Sequence, residues 1–285
     1  MKKCKALFNI FICVLCIVSC SSLKKEVIPK IKGYQLVWSD EFKKDGRPND
    51  QNWDYETGFV RNQENQWYQK ENAFCKDGYL VIEARNENKM NPDFTTIEDK
   101  DWRKNRDLIH ITSSCLISKN KQEFTYGIFI MRAKIPTQIG LWPAFWTLGL
   151  EPNWPTNGEI DIMEFYKGDL LANVAWESNS KWKPVWRANK YPISKFNNEN
   201  WVNEFHVWKM EWDKSSIKLY VDDQLLNEVD LKETYNLTNH KNPFHKPQYL
   251  LLNLAVGGVN GGDFSDVKFP SKYIIDYVRV YQKQE

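Results

Sequence analysis

Along much of this chain, apolar residues trade places with polar or charged ones at a period of two. Leu80-Val81-Ile82-Glu83-Ala84 and Ile217-Lys218-Leu219-Tyr220-Val221 carry the pattern. Alternation of this kind turns one face of an extended strand toward a core and the other toward water. It predicts strands over 34–38, 79–84, 109–117, 127–135, 159–165, 206–212, 216–221, 249–256 and 273–281. Turn formers separate them at Asp77-Gly78, Pro136, Asn157-Gly158, Asp222-Asp223 and Gly257-Gly258. There is no long helical periodicity and no internal repeat. The expectation is therefore all-β: a sandwich of two antiparallel sheets packed face to face. Segments 86–107, highly charged with Trp102, and 176–201, rich in Trp, interrupt the strands. They read as loops, either simply solvated or walling a cleft at the sandwich edge. The run from Gly257-Gly258 to Gly261-Gly262 reads as a tight turn; with no helix following, it is not a phosphate loop.

The first residues follow a different rule. Lys2, Lys3 and Lys5 precede an apolar run over 6–18. About a dozen residues suit the apolar region of a signal peptide and fall short of the roughly 20 that span a bilayer. The run ends at Ser19-Cys20, which looks like a bacterial lipobox with Cys20 lipidated. The plainer alternative is an ordinary signal cut nearby. The expected organisation is a lipoprotein signal peptide over 1–19, a lipid-anchored tether over 20–32 and one domain over 33–285. Contact with membrane would come from the lipid alone, at the cell envelope and most simply the outer membrane.

Loss of the three leader lysines takes the formal charge from +2 to about −1. Without a basic block, nothing asks for a nucleic-acid partner, and a monomer is expected. Three of six cysteines lie in the signal peptide and Cys20 stands at the lipidation position, leaving Cys75 and Cys115 as either a bridge or two buried thiols. No CxxC, HExxH or GxSxG occurs, and His110, His206, His240 and His245 lack ligand spacing. The aromatic content does change the picture. Thirteen Trp, thirteen Tyr and fifteen Phe exceed core duty and suit a cleft that stacks sugar rings.

The richest chemistry sits in Glu159-Ile160-Asp161-Ile162-Met163-Glu164. Carboxylates inside a strand are costly unless solvated or paired. On a flat strand Glu159 and Asp161 share a face while Glu164 points away; a one-residue bulge near Met163 returns it. By strand rise the two Glu lie about 13 Å apart at Cα. Side chains leaning inward on a concave sheet would bring their carboxyls to roughly 5–5.5 Å, the separation for double displacement with retention. Crowded acids raise one another's pKa and titrate as a set, so an ionised nucleophile can stand beside a protonated acid. Glu159 would attack the anomeric carbon, Glu164 would serve as acid then base, and Asp161 would orient Glu159. On charge pattern alone, a solvated strand face remains open.

At these residues the chain resembles the family 16 glycoside hydrolases, concanavalin-like β-jelly rolls with a concave substrate cleft. Their ExDxxE signature matches Glu159 to Glu164, in the version whose extra Met implies a bulge. Leu36-Val37-Trp38-Ser39-Asp40-Glu41-Phe42 resembles the opening strand, and Asn62-Gln63-Glu64-Asn65-Gln66-Trp67-Tyr68 the NxExQxY segment. Trp142-Pro143-Ala144-Phe145-Trp146 matches the WPAFW stretch, and Asp276-Tyr277-Val278-Arg279-Val280-Tyr281 the closing strand. The resemblance implies nucleophile Glu159, assisting Asp161 and acid/base Glu164, with no cofactor for catalysis. It also implies sugar contacts from Asn62, Trp142 and Trp146, and a structural calcium held by Glu41, a carbonyl near Gly78, and Asp276.

Two departures fall around the cleft. Cys115 stands where many relatives carry Arg, and Trp176 is offered where many glucanases carry His, which adds it to the expected substrate-binding residues. The expected substrate is an internal β-1,3 or mixed-linkage β-glucan bond. Galactans of agar or porphyran type, or poly-N-acetyllactosamine of mucin glycans, are the alternative. A glycan-binding lipoprotein without turnover and a transglycosylase are the rival functions.

Overall fold

Strands carry most of the chain in a computed structural model that describes residues 28–284, apart from Pro152 and Lys181. The leader and Cys20 lie outside the described residues, and the folded unit begins at Ile31. In chain order the strands begin with β1 (Tyr34–Asp40), β2 (Asp54–Tyr55), β3 (Gln66–Tyr68), β4 (Ala73–Lys76), β5 (Tyr79–Met90) and β6 (Leu108–Ser113). Next come β7 (Cys115–Ile117), β8 (Glu123–Phe124), β9 (Gly127–Lys134), β10 (Leu141–Gly149), β11 (Glu159–Tyr166) and β12 (Asp169–Glu177). The last are β13 (Pro184–Pro192), β14 (His206–Trp212), β15 (Ser216–Val221), β16 (Gln224–Asp230), β17 (Gln248–Val256) and β18 (Ser271–Lys283).

They form two sheets. One runs β16-β15-β14-β9-β18-β5-β6-β3, with β1 on β18 and β4 on β5. The other, which carries the acids, runs β13-β12-β11-β10-β17-β7-β2, with β8 on β17. Pairing is antiparallel except between β3 and β6. The period-two faces meet as expected: Phe129, Met131, Leu219 and Val278 of the first sheet and Phe145, Ile160, Val174 and Leu252 of the second belong to one core. Burying an aliphatic side chain stabilises by about 1.5–3 kcal/mol, so this shared layer is what holds the sheets together.

The differences from expectation are local. The 109–117 strand breaks at Ser114, where the chain leaves the first sheet as β6 and enters the second as β7. β10 was not among the predicted strands because it is buried nearly throughout and does not alternate. The 176–201 segment is not a loop: its centre is β13, the outer strand of the acid-bearing sheet. Two amides stitch that edge to the opposite sheet. Asn189 donates to the Leu226 carbonyl, and Asn227 donates to the carbonyls of Ala172 (2.8 Å) and Arg187 (3.0 Å). The glycine-rich turn winds into a single helical turn, Gly258–Gly261. Cys75 and Cys115 are both buried and unbridged, which settles that alternative for free thiols.

Candidate active site

Asn157-Gly158 delivers the chain to β11, the strand that carries the three acids. Gly158 has φ +75, and a Cβ there would stand 2.8 Å from Pro243 Cβ, so only glycine makes this entry without strain. Along β11 the pairing slips by one residue. Trp146 opposes Asp161 and Phe145 opposes Met163, leaving Ile162 over; on the other side Asn173 opposes Asp161 while Leu171 opposes Glu164. Ile162 and Met163, neighbours in sequence, both sit fully buried in the core. The expected bulge is present, and Glu159, Asp161 and Glu164 consequently share the cleft face.

Glu159 and Glu164 each have their own indole donor. Trp142 Nε1 donates to Glu164 at 2.7 Å, and Trp154 Nε1 donates to Glu159 at 2.5 Å. Asn173 Nδ2 bridges Asp161 (3.2 Å) and Glu164 (3.3 Å). Burial raises the pKa of Glu159, an effect opposed by hydrogen bonds from Trp154 and Asp161 and by the nearby charge of Arg61. Asp161 is raised well above the carboxylate range by burial and by its two acidic neighbours. Its hydrogen bond to Glu159 opposes the rise at Glu159, and the acids titrate as a set. Burial and the Glu159 charge push Glu164 up to about 7, against the donors Trp142, Asp161 and Asn173. A carboxyl protonated near neutrality is what general acid catalysis requires.

The cleft over these acids encloses about 640 Å³, within the roughly 300–1,000 Å³ of ligand sites. Asn62 lines it, as expected, with Trp142 and Trp146. Sequence reasoning missed Arg61, Glu64, Trp154, Trp186 and Lys190. Trp154 and Trp186 form a tilted pair, ring centroids 6.5 Å apart, and Trp186 is 43% exposed, an open face for a sugar ring. Period two along β13 sets Trp186, Ala188 and Lys190 together on the cleft side. Glu64 accepts from Asn62 (3.2 Å), Gln66 (2.7 Å) and Tyr68 (3.3 Å); Tyr68 accepts from Asn253, which accepts from Trp146. Arg61 pairs with Glu56 and lies 5.1 Å over the Trp146 ring. The Arg61 guanidinium lies near enough to Cys115 for the two to interact electrostatically.

Trp176 is not a cleft residue. Asn173 and Leu171 of β12 line the cleft, so Trp176, an odd step away, faces the core at 3% exposure. Trp176→Ala should therefore cost about 3–5 kcal/mol of stability, while Trp176→Phe should leave KM unchanged. Melting curves and initial rates on the two variants check this.

The three residues expected to hold calcium do not fit it. Glu41 accepts two bonds from Arg279, at 2.8 and 2.7 Å. Asp276 is paired with Arg132 at 2.7 Å and Lys43 at 3.4 Å, and the Lys43 ammonium lies 3.8 Å from where a Gly78 Cβ would stand. Side-chain cations already neutralise both carboxylates, whereas calcium needs six to eight oxygens of its own. Neither EDTA nor added calcium should move the melting temperature by more than about 1 °C, since a folded-state ligand acts only where a site exists. Differential scanning calorimetry decides it.

A concave sheet with an aromatic-walled cleft over two indole-held glutamates and a bridging aspartate defines a glycoside hydrolase of the jelly-roll type. The model for the Glycosyl hydrolases family 16 matches residues 60–279, and the chain belongs to that family. It is 33% identical to a β-glucanase of Rhodothermus marinus over 93% of this chain and 91% of that one. The laminarinase catalytic domain of Thermotoga maritima superposes with a TM-score of 0.73 at 33% identity, covering 89% of this chain and all (100%) of that one. A structure from work on endo-acting O-glycanases, which prominent members of the human gut microbiota express to initiate mucin breakdown, gives a TM-score of 0.80 at 36% identity, covering 89% of this chain and 92% of that one.

Proposed function

We propose that the protein is a retaining endo-β-glycanase that cuts internal bonds of a β-1,3 or mixed-linkage β-glucan. The observation that carries the chemistry is the bulge at Ile162-Met163, which turns Glu164 into the groove that holds Glu159. Glu159 attacks the anomeric carbon as Glu164 protonates the departing oxygen. Glu164, now a base, takes a proton from water, which then releases the glycosyl group. Asp161 keeps the nucleophile charged and oriented. No step calls on a cofactor. The glucan assignment is supported by the likeness to the β-glucanase and the laminarinase.

A specific observation favours a second substrate. The likeness to the O-glycanase structure is at least as strong as that to the laminarinase. Galactan-type chains such as mucin poly-N-acetyllactosamine are that second reading. Product lengths from laminarin, barley glucan, agarose, porphyran and mucin O-glycans distinguish the two, and NMR of the first product reports its anomeric configuration. Monosaccharide alone would overturn the endo assignment, and an inverted product the double displacement.

The leader supports export and lipid attachment at Cys20. Cys20→Ala should release the protein from the membrane fraction, and continued membrane association would reject the anchor.

A further inference from the structure

The charged insertion after β5 reaches the cleft without lining it. Asn91 organises it: its amide donates to the carbonyls of Arg103 (2.9 Å) and Arg106 (2.7 Å), and its N–H donates to Asp107 (2.9 Å). The fold so made carries Trp102 and Arg106 to the back of the segment that presents Asn62 and Glu64. The Arg106 guanidinium packs against both rings of a tilted pair, 4.9 Å from Phe59 and 4.8 Å from Trp102, whose centroids are 5.9 Å apart. It donates from Nη1 to the Glu64 carbonyl at 2.7 Å and from Nη2 to the Gln63 carbonyl at 3.1 Å.

Those carbonyls belong to an unusual piece of backbone. Asn62 and Gln63 hold φ of 55 and 52, two consecutive left-handed residues without a glycine. Each such residue costs roughly 1–2 kcal/mol, so the turn persists only where its surroundings impose it. The Asn62 carbonyl is held from the opposite side by Val259 N–H at 3.0 Å, in the turn where a Gly258 Cβ would stand 2.8 Å from that same oxygen. Three successive carbonyls, at 62, 63 and 64, are thus held from outside the segment, two of them by one fork. The two bonds run from separate nitrogens of one planar guanidinium to successive carbonyls, a fork that an ammonium could not reproduce.

We propose that Arg106 is a positioning residue for the cleft, locking the left-handed Asn62–Gln63 turn so that the Asn62 and Glu64 side chains meet the bound sugar. The kinetic part of this rests on the glycanase reading; the conformational part does not. Hydrogen exchange on Arg106→Lys and Arg106→Gln tests the latter. Amides over 58–68 should lose protection, while those of β11 and β17 keep theirs and the melting temperature stays near wild type. On whichever glycan of the panel the wild type cleaves, KM should rise between about tenfold and a hundredfold, with kcat changed far less. In an Asn62→Ala background Arg106→Lys should add little, because two residues acting through one contact are not additive. Unchanged exchange over 58–68, wild-type KM in Arg106→Lys, or full additivity with Asn62→Ala would each overturn the proposal. A wild type inactive on every glycan would instead sink the glycanase reading and leave the exchange result to stand.

Discussion

Glu159→Ala loses turnover by at least about 10⁴-fold, as removal of an activated nucleophile does, yet folds at least as stably as the parent. The stability half follows from linkage. Burial holds the pKa of Glu159 above its ordinary value, so the folded state resists the charged form. That penalty is present at and above the raised value and vanishes below the unfolded carboxylate value of about 4.3. Melting curves should place Glu159→Ala level with or above wild type at pH 8 and level with it at pH 4. Azide, entering the space the side chain vacates, should restore cleavage of an activated aryl glycoside and leave a product of inverted configuration. Glu164→Ala should respond differently, still forming the glycosyl-enzyme from an activated leaving group. Substantial hydrolysis by Glu159→Ala without added anion would remove it from the nucleophile's role.

The rate of cleavage falls about tenfold per pH unit above a break near 7. Glu164, pushed up to about 7 by burial and by the Glu159 charge, must be protonated to deliver its proton to the leaving oxygen. The acidic limb belongs to Glu159, which must be ionised to attack and whose raised pKa sets that limb above the ordinary glutamate value. Trp142→Phe sharpens the test. Trp142 donates to the ionised form of Glu164, so its loss disfavours that form and moves the alkaline limb upward, by about half a unit to one unit. In Glu159→Gln the repelling charge is gone, and Glu164 should titrate lower, which NMR of a labelled side chain can follow. An alkaline limb that ignores Trp142→Phe would mean another group supplies the proton.

The catalytic strand was legible in advance because two rules collide there. Alternation assigns Glu159 and Glu164 to opposite faces, while three acids tolerate burial only together, and a bulge resolves the conflict. The same counting would have removed Trp176 from the cleft had 169–177 been read as a strand, since Asn173 and Trp176 differ by an odd number. It was not read so because Leu170 to Trp176 is apolar apart from Asn173, and buried strands show no alternation. β13 failed for the opposite reason: an edge strand exposed through Trp186 to Lys190 carries almost no pattern, so Trp186 went unnoticed. Trp154 and Arg61 reach the acids through turns and long-range pairing that no local signal encodes. The cations beside Glu41 and Asp276 are likewise invisible in sequence, because Arg279 and Glu41 lie at opposite ends of the chain.

The stitching of β13 has a consequence for how the protein behaves among its own copies. A nine-residue outer strand with bare backbone donors and acceptors is a template on which a second chain can crystallise into a continued ribbon. Asn189 and Asn227 tether that strand to β16, and Asn227 takes up the Arg187 carbonyl of the edge itself, while Trp186 and Lys190 stay turned toward the cleft. The lip of the groove is thus one strand thick, held by a tether to the opposite sheet rather than by a covering element.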